Sequence, residues 1–258
     1  MDQETVSPAR RWNYWLGGKD HFRADRESGE RIARAYPAIR VAARQGRAFH
    51  GRVIRHLTRE AGIRQFIDIG TGLPAPDNTH DVAQAIALDS RVVYVDNDPM
   101  VLAHARALMN GGATTYVHGD LRDPGAILGS AELRGTLDLS RPVAILLIAV
   151  LHFIADDARA RAVVGELLAA AAPGSYLVVT NSTKDFVAPE VAARYDALLA
   201  AGHTDAWPRD RATFAGFLDG LELLEPGVVA LSEWRPEHHD RPTPAEVSMY
   251  GAVGLKPR

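Results

Sequence analysis

Three aspartates follow one another at even intervals, each tied to a short apolar run. Asp68 lies inside Phe66-Ile-Asp-Ile69, which breaks into Gly70-Thr71-Gly72. Asp96 comes 24 residues after Gly72 and closes Arg91-Val-Val-Tyr-Val-Asp96; Asp120 comes another 24 residues on, just past Thr114-Thr-Tyr-Val117. A glycine turn lets a ligand approach the backbone closely. A carboxylate inside an apolar run has to be paired or hydrogen-bonded, for instance to the N–H groups of that turn. A carboxylate ending a second strand accepts from two vicinal hydroxyls, as a ribose presents. One ending a third strand accepts from an adenine amino group, and the Leu121 N–H is placed to donate to the ring. The chemistry implied is the binding of an adenosine.

For the three acids to meet, the runs must be parallel strands whose carboxyl ends share one sheet edge, where open α/β sheets bind ligands. The pattern predicts strands at 64–69, 91–95, 114–117, 143–149, 175–180 and 247–253. Residues 221–224 and 228–231 read as two short strands or one broken one. Helices alternate with them: 25–36 and 38–61, one capped by Asp77, Asn78 or Thr79 and running to Leu88, then 99–109, 156–172, 188–201 and 209–219. A short helix and a loop fill 124–141. Asp98 before Pro99 and Asp123 before Pro124 are helix caps, which frees Asp96 and Asp120 for a ligand. The alternation argues a doubly wound parallel sheet. Residues 1–25 show neither helical nor strand periodicity. Their aromatics either plug a groove on the core or form a flap in which Tyr14, Trp15 and Lys19 close over the ligand.

Composition narrows the function. The chain has 258 residues, a net charge of −3 and no cysteine. Disulfides, thiolate catalysis and cysteine metal sites are excluded, and no broad electrostatic case exists for nucleic acid or anionic membrane. The arginines of 40–59 read as a solvated helix face. No apolar run spans a bilayer, and the acidic start does not resemble a secretory leader, so a cytoplasmic protein is expected. No metal site is expected, because His80 and His118 lack ligand spacing. Nothing in the sequence marks an oligomeric state.

The adenosine is not expected to carry a diphosphate. Dinucleotide loops read Gly-x-Gly-x-x-Gly; here Ala75 stands at the third glycine, and Pro74 and Pro76 remove N–H donors. No Walker loop occurs. S-adenosylmethionine fits better.

Phe66-Ile-Asp-Ile-Gly-Thr-Gly72, Val95-Asp-Asn-Asp-Pro99 and Gly119-Asp-Leu121 resemble the successive motifs of class I S-adenosylmethionine-dependent methyltransferases. The likeness is closer to a bacterial family known simply as S-adenosyl methyltransferase. It rests on Trp12-Asn-Tyr-Trp-Leu-Gly-Gly-Lys-Asp-His21, on Leu73-Pro-Ala-Pro with Asn78 and His80, and on Tyr250-Gly-Ala-Val-Gly-Leu-Lys-Pro257. The resemblance implies a Rossmann-like, seven-stranded, mostly parallel α/β sheet with strand 7 antiparallel, here with an N-terminal helical extension. It implies S-adenosyl-L-methionine as cofactor and S-adenosyl-L-homocysteine as product. It implies that Asp68, Gly70, Thr71, Gly72 and Leu73 line the methionine part. Asp96 would hold the ribose with Asn97 beside it, and Asp120 and Leu121 would flank the adenine. Ala149, Val150 and Leu151 would lie near the sulfonium. The acceptor is not implied.

Residues 1–60 are expected to cap an S-adenosylmethionine-binding unit at 61–258. His152, after the fourth strand, reads first as a packing or hydrogen-bonding residue and second as a candidate general base. Asn181 could touch a substrate or close its strand, and His203 and Trp207 could line an acceptor pocket or anchor a connection. Methyl transfer needs mainly positioning, so a small-molecule acceptor is expected without a catalytic triad. The rival readings are a non-enzymatic sensor of S-adenosylmethionine or its demethylated product, and an NAD(P)-dependent oxidoreductase.

Overall fold

The protein is described here from a computed structural model that covers residues 3–108 and 112–258. The first two residues and residues 109–111, with the end of the helix expected at 99–109, lie outside it, as do the side chains of 105–108. The strands are β1 (Gln65–Ile69), β2 (Arg91–Asp96), β3 (Thr114–His118), β4 (Ala144–Leu147), β5 (Tyr176–Ser182), β6 (Glu222–Leu223), β7 (Val229–Ala230) and β8 (Met249–Leu255). They join in the order β3-β2-β1-β4-β5-β8-β6, with β7 also on β8. The first five are parallel, and β8 enters antiparallel between β5 and β6. This is the Rossmann-like, mostly parallel arrangement expected. The stretch 221–231 proves to be two separate two-residue strands, both held by β8.

Strand alternation builds a core on each face. Ile67, Ile69, Val93 and Val95 share one core with Ala160, Val163, Val164 and Leu167 of α8 (Asp157–Ala170) and with Ile127 and Leu133. Phe66, Val92, Tyr94, Ala144 and Leu146 face α3 (Ile39–Arg59) and α4 (Thr79–Ile86), meeting Phe49, Val53, Ile54, Leu57 and Val82. Asp68 shares the parity of Phe66, so its carboxylate enters the α3 side. The remaining helices are α5 (Pro99–Leu108), the short α6 (Pro124–Gly129) and α7 (Ala131–Thr136), α9 (Pro189–Ala200), α10 (Arg211–Ala215) and α11 (Pro244–Val247). Among the described residues no helix is long and apolar enough to cross a membrane.

Two expectations need correction. The N-terminal segment is not irregular: α1 (Pro8–Trp15) is a helix opened by Ser7, whose side chain accepts from Arg10 N–H, with Pro8 in the first turn. A helix this short gives little periodicity to read. With α2 (Arg23–Ala35), α1 packs over the carboxyl edge of the sheet, and Gly46 on α3 leaves room for Trp12. Second, β4 stops at Leu147 instead of 149, because Ala149 turns into the left-handed region (φ +54°) and gives its N–H to Thr180 Oγ1 at 2.8 Å. Most of the arginines of α3 are engaged within the fold, while Arg44 and Arg59 are exposed. Arg52 donates to the Leu231 and Trp234 carbonyls, Arg40 pairs with Glu30, and Arg55 pairs with Glu237.

Candidate functional site

The carboxyl ends of β1, β2 and β4, the loop after β3, and α1 and α3 enclose a cavity of about 400 Å³. It sits where the chain reverses direction across the sheet, between β1 and β4. A larger groove of about 570 Å³ lies at the opposite edge, between residues 61–65 and 255–258. Its lining includes Gly62 and Gly174 but none of the three aspartates, and its Arg64 and Lys256 are occupied by Asp89 and by carbonyls. Asp68, Asp96, Asp120 and the Gly70–Gly72 turn are at the 400 Å³ cavity.

Each acid has a distinct local role. Asp96 is buried; one oxygen accepts from Gly72 N–H at 2.8 Å and the other from Asp98 N–H at 2.9 Å. Burial raises its pKa above the ordinary carboxylate value, partly offset by those two N–H donors. A carboxylate offers about four lone-pair sites, so acceptor capacity remains. Asp98 instead caps α5 through Met100 N–H. Asp120 is more exposed and is gripped by the Arg122 guanidinium, which, with lesser help from Asn97, holds its carboxyl at about 2. Asp123 caps α6.

Asp68 belongs to a relay that sequence reasoning did not foresee. Thr79 donates its hydroxyl to Asp68 at 2.6 Å, and Thr79 Oγ1 lies 2.8 Å from His50 Nε2. Thr79 has one proton and gives it to Asp68, so His50 Nε2 must be the donor. In the neutral ring Nδ1 is then a bare acceptor, a tautomer assigned from the network. That atom is buried without a partner among the described residues, and the ring lines the cavity. The glycine turn is shaped by its neighbours. Gly70 has φ +72°, and a Cβ there would collide with the Val150 side chain. Gly72 has φ +69° and open space around it.

Of the expected residues, Asp68, Gly70, Thr71, Gly72, Asp96, Asn97, Asp120, Leu121, Ala149 and Val150 come together around the cavity. Leu73 and Leu151 do not: Leu73 packs with Met100 and Val101, and Leu151 is wholly buried under the sheet. The N-terminal segment does cover the cavity, but through Ser7, Pro8, Ala9 and Trp12. Tyr14 is turned to Glu30 and Arg40, Trp15 is buried against Gly29, and Lys19 is exposed. Asn181 is fully buried and satisfied by Arg209 and the Trp207 carbonyl. His203 and Trp207 do not line the cavity, whereas Asp205 of the same loop reaches it. His80 is held by Tyr94 and His118 by the Asn97 carbonyl; among the described residues no group of side chains is placed to bind a metal.

His152 is 4 % exposed and absent from the cavity wall. Burial drives its imidazole down to about 4, which argues against a general base near neutrality. The unfolded ring keeps an ordinary value, so the unfolded chain binds more protons between pH 6.5 and about 4. Stability conferred by the neutral ring is therefore present above that window and lost as the pH falls through it. In urea unfolding at about pH 7.5 and 4.5, His152→Leu is expected to lose on the order of 2 kcal/mol less stability on acidification than the parent protein. Equal losses would remove His152 from the acid response.

The charge of the cavity is lopsided. Asp68, Asp96, Asp98, Asp120 and Asp205 line it against Arg47 and Arg122, and Arg122 is already paired. Such a wall suits a ligand with net positive charge and opposes a diphosphate. The loop after Gly72 agrees. Asn78 and Asp81 close the start of α4, with Asp81 accepting Asn78 N–H at 2.9 Å, and Arg47 is spent on the Pro76 and Asp77 carbonyls.

The sequence matches the model of the S-adenosyl methyltransferase family over residues 1–257. A crystal structure of a DUF574 family protein from Streptomyces avermitilis is 44% identical, with 99% of each chain covered and a TM-score of 0.93. A candidate methyltransferase from Thermobifida fusca is 37% identical over 100% of this chain and 97% of its own, also at 0.93. The N-methyltransferase NodS from Bradyrhizobium japonicum, solved with S-adenosyl-L-homocysteine, is 14% identical over 98% of this chain and 100% of its own, with a TM-score of 0.50, and shares the fold alone. No curated protein matches. The chain belongs to the S-adenosyl methyltransferase family; its cofactor is S-adenosyl-L-methionine and its chemistry is methyl transfer.

Proposed function

We propose that this member of the family binds its cofactor in the carboxyl-edge cavity and methylates a small-molecule acceptor. The observation that carries the reading is the convergence on one acid-walled cavity of the glycine turn, Asp96 and Asp120. Two further features fit the cofactor. Gly72 leaves space where a side chain would intrude, and His50 Nδ1 lacks a partner among the described residues.

In this reading the two free lone-pair sites of Asp96 accept from the ribose hydroxyls, and Gly72 and Asp98 hold the carboxylate in place. Asn97 lies beside them, and Leu121 and Asp120 meet the adenine. The Gly70–Gly72 turn admits the methionine part, and His50 Nδ1 accepts from its ammonium. When bound, S-adenosyl-L-methionine supplies an electrophilic methyl group on a sulfonium. Ala149 and Val150 shape the wall of that region, and α1 shields it from water. The residues work by positioning, which can lower a barrier by several kcal/mol without a base.

Isothermal titration tests the reading. S-adenosyl-L-methionine and S-adenosyl-L-homocysteine are expected to bind one-to-one, and NAD and NADP not at all. His50→Leu is expected to weaken S-adenosyl-L-homocysteine about fivefold or more, as for a lost hydrogen bond to a charged group. Adenosine, which lacks the methionine, should bind unchanged. Dinucleotide binding without S-adenosyl-L-methionine binding would replace the reading by that of an oxidoreductase.

A further inference from the structure

Behind Trp12 and Phe153, which also line the large cavity, lies a second compartment of about 40 Å³. That is roughly three times the room one buried water needs by the same measure. Five rings wall it: Trp12, Trp15, Tyr36, Phe153 and Tyr195. Most polar groups in the wall are already spoken for. Tyr36 donates to the Thr183 carbonyl at 2.5 Å and Tyr195 to the Ala206 carbonyl at 2.7 Å. Arg11 is paired with Asp205 and bonded to Ser28. Two groups stand apart: His152 Nδ1 and Ser182 Oγ are buried without a partner among the described residues. Their residues are 4 % and 8 % exposed, and both line this compartment. Buried polar atoms are nearly always satisfied, so two orphans in one small aromatic chamber mark the place of a ligand's polar group.

The charges narrow that ligand. Among the described residues the one cation in the wall is Arg11, which already has its counter-ion in Asp205, on the side facing the large cavity. A charged guest would enter a low-dielectric space with no free partner, which is costly. We infer that this side pocket seats the methyl acceptor, and that the acceptor is a small, uncharged aromatic molecule whose hydroxyl bonds to Ser182 Oγ and His152. The inference rests on the cofactor occupying the large cavity, since the shared wall of Trp12 and Phe153 is what brings the two ligands side by side.

Phenol and catechol, with toluene, benzoate and benzylamine as controls, test it by titration into protein saturated with S-adenosyl-L-homocysteine. Phenol and catechol are expected to bind, with both charged probes at least about tenfold weaker. Ser182→Ala and His152→Leu should each weaken phenol about fivefold, the range of one net hydrogen bond. Neither should move toluene, and S-adenosyl-L-homocysteine affinity, which also reports correct folding, should stay within about twofold. Protein that binds S-adenosyl-L-homocysteine but neither phenol nor catechol overturns the inference alone. So does phenol that competes with S-adenosyl-L-homocysteine, or phenol affinity unmoved by Ser182→Ala, the milder change. Protein that binds no S-adenosyl-L-homocysteine overturns the cofactor site and this inference with it.

Discussion

Asp96→Ala is expected to weaken S-adenosyl-L-homocysteine binding by on the order of 100-fold or more while the chain stays folded. The estimate follows from two hydrogen bonds to an ionised acceptor, each worth about 1.5–3 kcal/mol. It is reinforced by the loss of the brace on Gly72 N–H, which would let the glycine turn shift. The fold itself has less to lose. Asp96 is a buried carboxylate with a raised pKa, so its charge is a burden that the native state carries. Residues that cost stability and remain buried at a cavity are characteristic of functional sites. Asp120→Ala is the matched control. Its carboxylate is partly exposed and already engaged by Arg122, so a loss of about tenfold or less is expected. Titration of both variants beside their melting curves separates binding from folding. Equal small losses in the two would deny Asp96 its place at the ribose.

Asp25→Ala is expected to destabilise the protein by about 3 kcal/mol or more, although Asp25 touches no ligand cavity. Asp25 is wholly buried and accepts from Ser7 N–H at 2.9 Å, Arg10 Nε at 2.8 Å and Phe22 N–H at 2.8 Å. Removing it leaves three donors without an acceptor and a buried guanidinium whose other carboxylate, Asp98, is 3.6 Å away. Breaking a buried pair from one side costs about 3–5 kcal/mol. The same network reaches the cofactor motif, because the Ser7 hydroxyl donates to Asp98, the cap of α5. The cheapest escape for the variant is release of α1, since local opening costs less than global unfolding. Limited proteolysis should therefore cut the variant in the loop between α1 and α2, and S-adenosyl-L-homocysteine should bind more weakly once Ser7–Trp12 no longer cover the cavity. Unchanged proteolysis and an unchanged urea midpoint would show that α1 is held by other means.

The parts that were legible in the sequence are those governed by local rules. Runs of strand length ending in glycine or aspartate located the ends of β1 and β2, a shorter one before His118 located β3, and the Asp-Pro pairs separated the capping acids Asp98 and Asp123 from Asp96 and Asp120. The misreadings lie where side-chain direction or a long-range contact decides. Leu73 and Leu151 border the site in sequence, yet they turn into the core, which composition cannot reveal. Asn181 and Ser182 differ by one position on β5, and a strand sends neighbours to opposite faces; the side of the small aromatic compartment belongs to Ser182. α1 was hidden by its length, although Ser7-Pro8 carries the signature of a helix start. His50 and Asp205 lie far in sequence from the glycine turn, and only the packing of α3 and of the 202–208 loop brings them to it.

The most direct test is a crystal structure of the protein grown with S-adenosyl-L-homocysteine. The expected density places the ribose hydroxyls on Asp96, the adenine beside Leu121 and Asp120, and the methionine ammonium within hydrogen-bonding distance of His50 Nδ1. Density for the nucleoside at the groove beside Arg64, or in the 400 Å³ cavity with the ribose away from Asp96, would contradict the assignment.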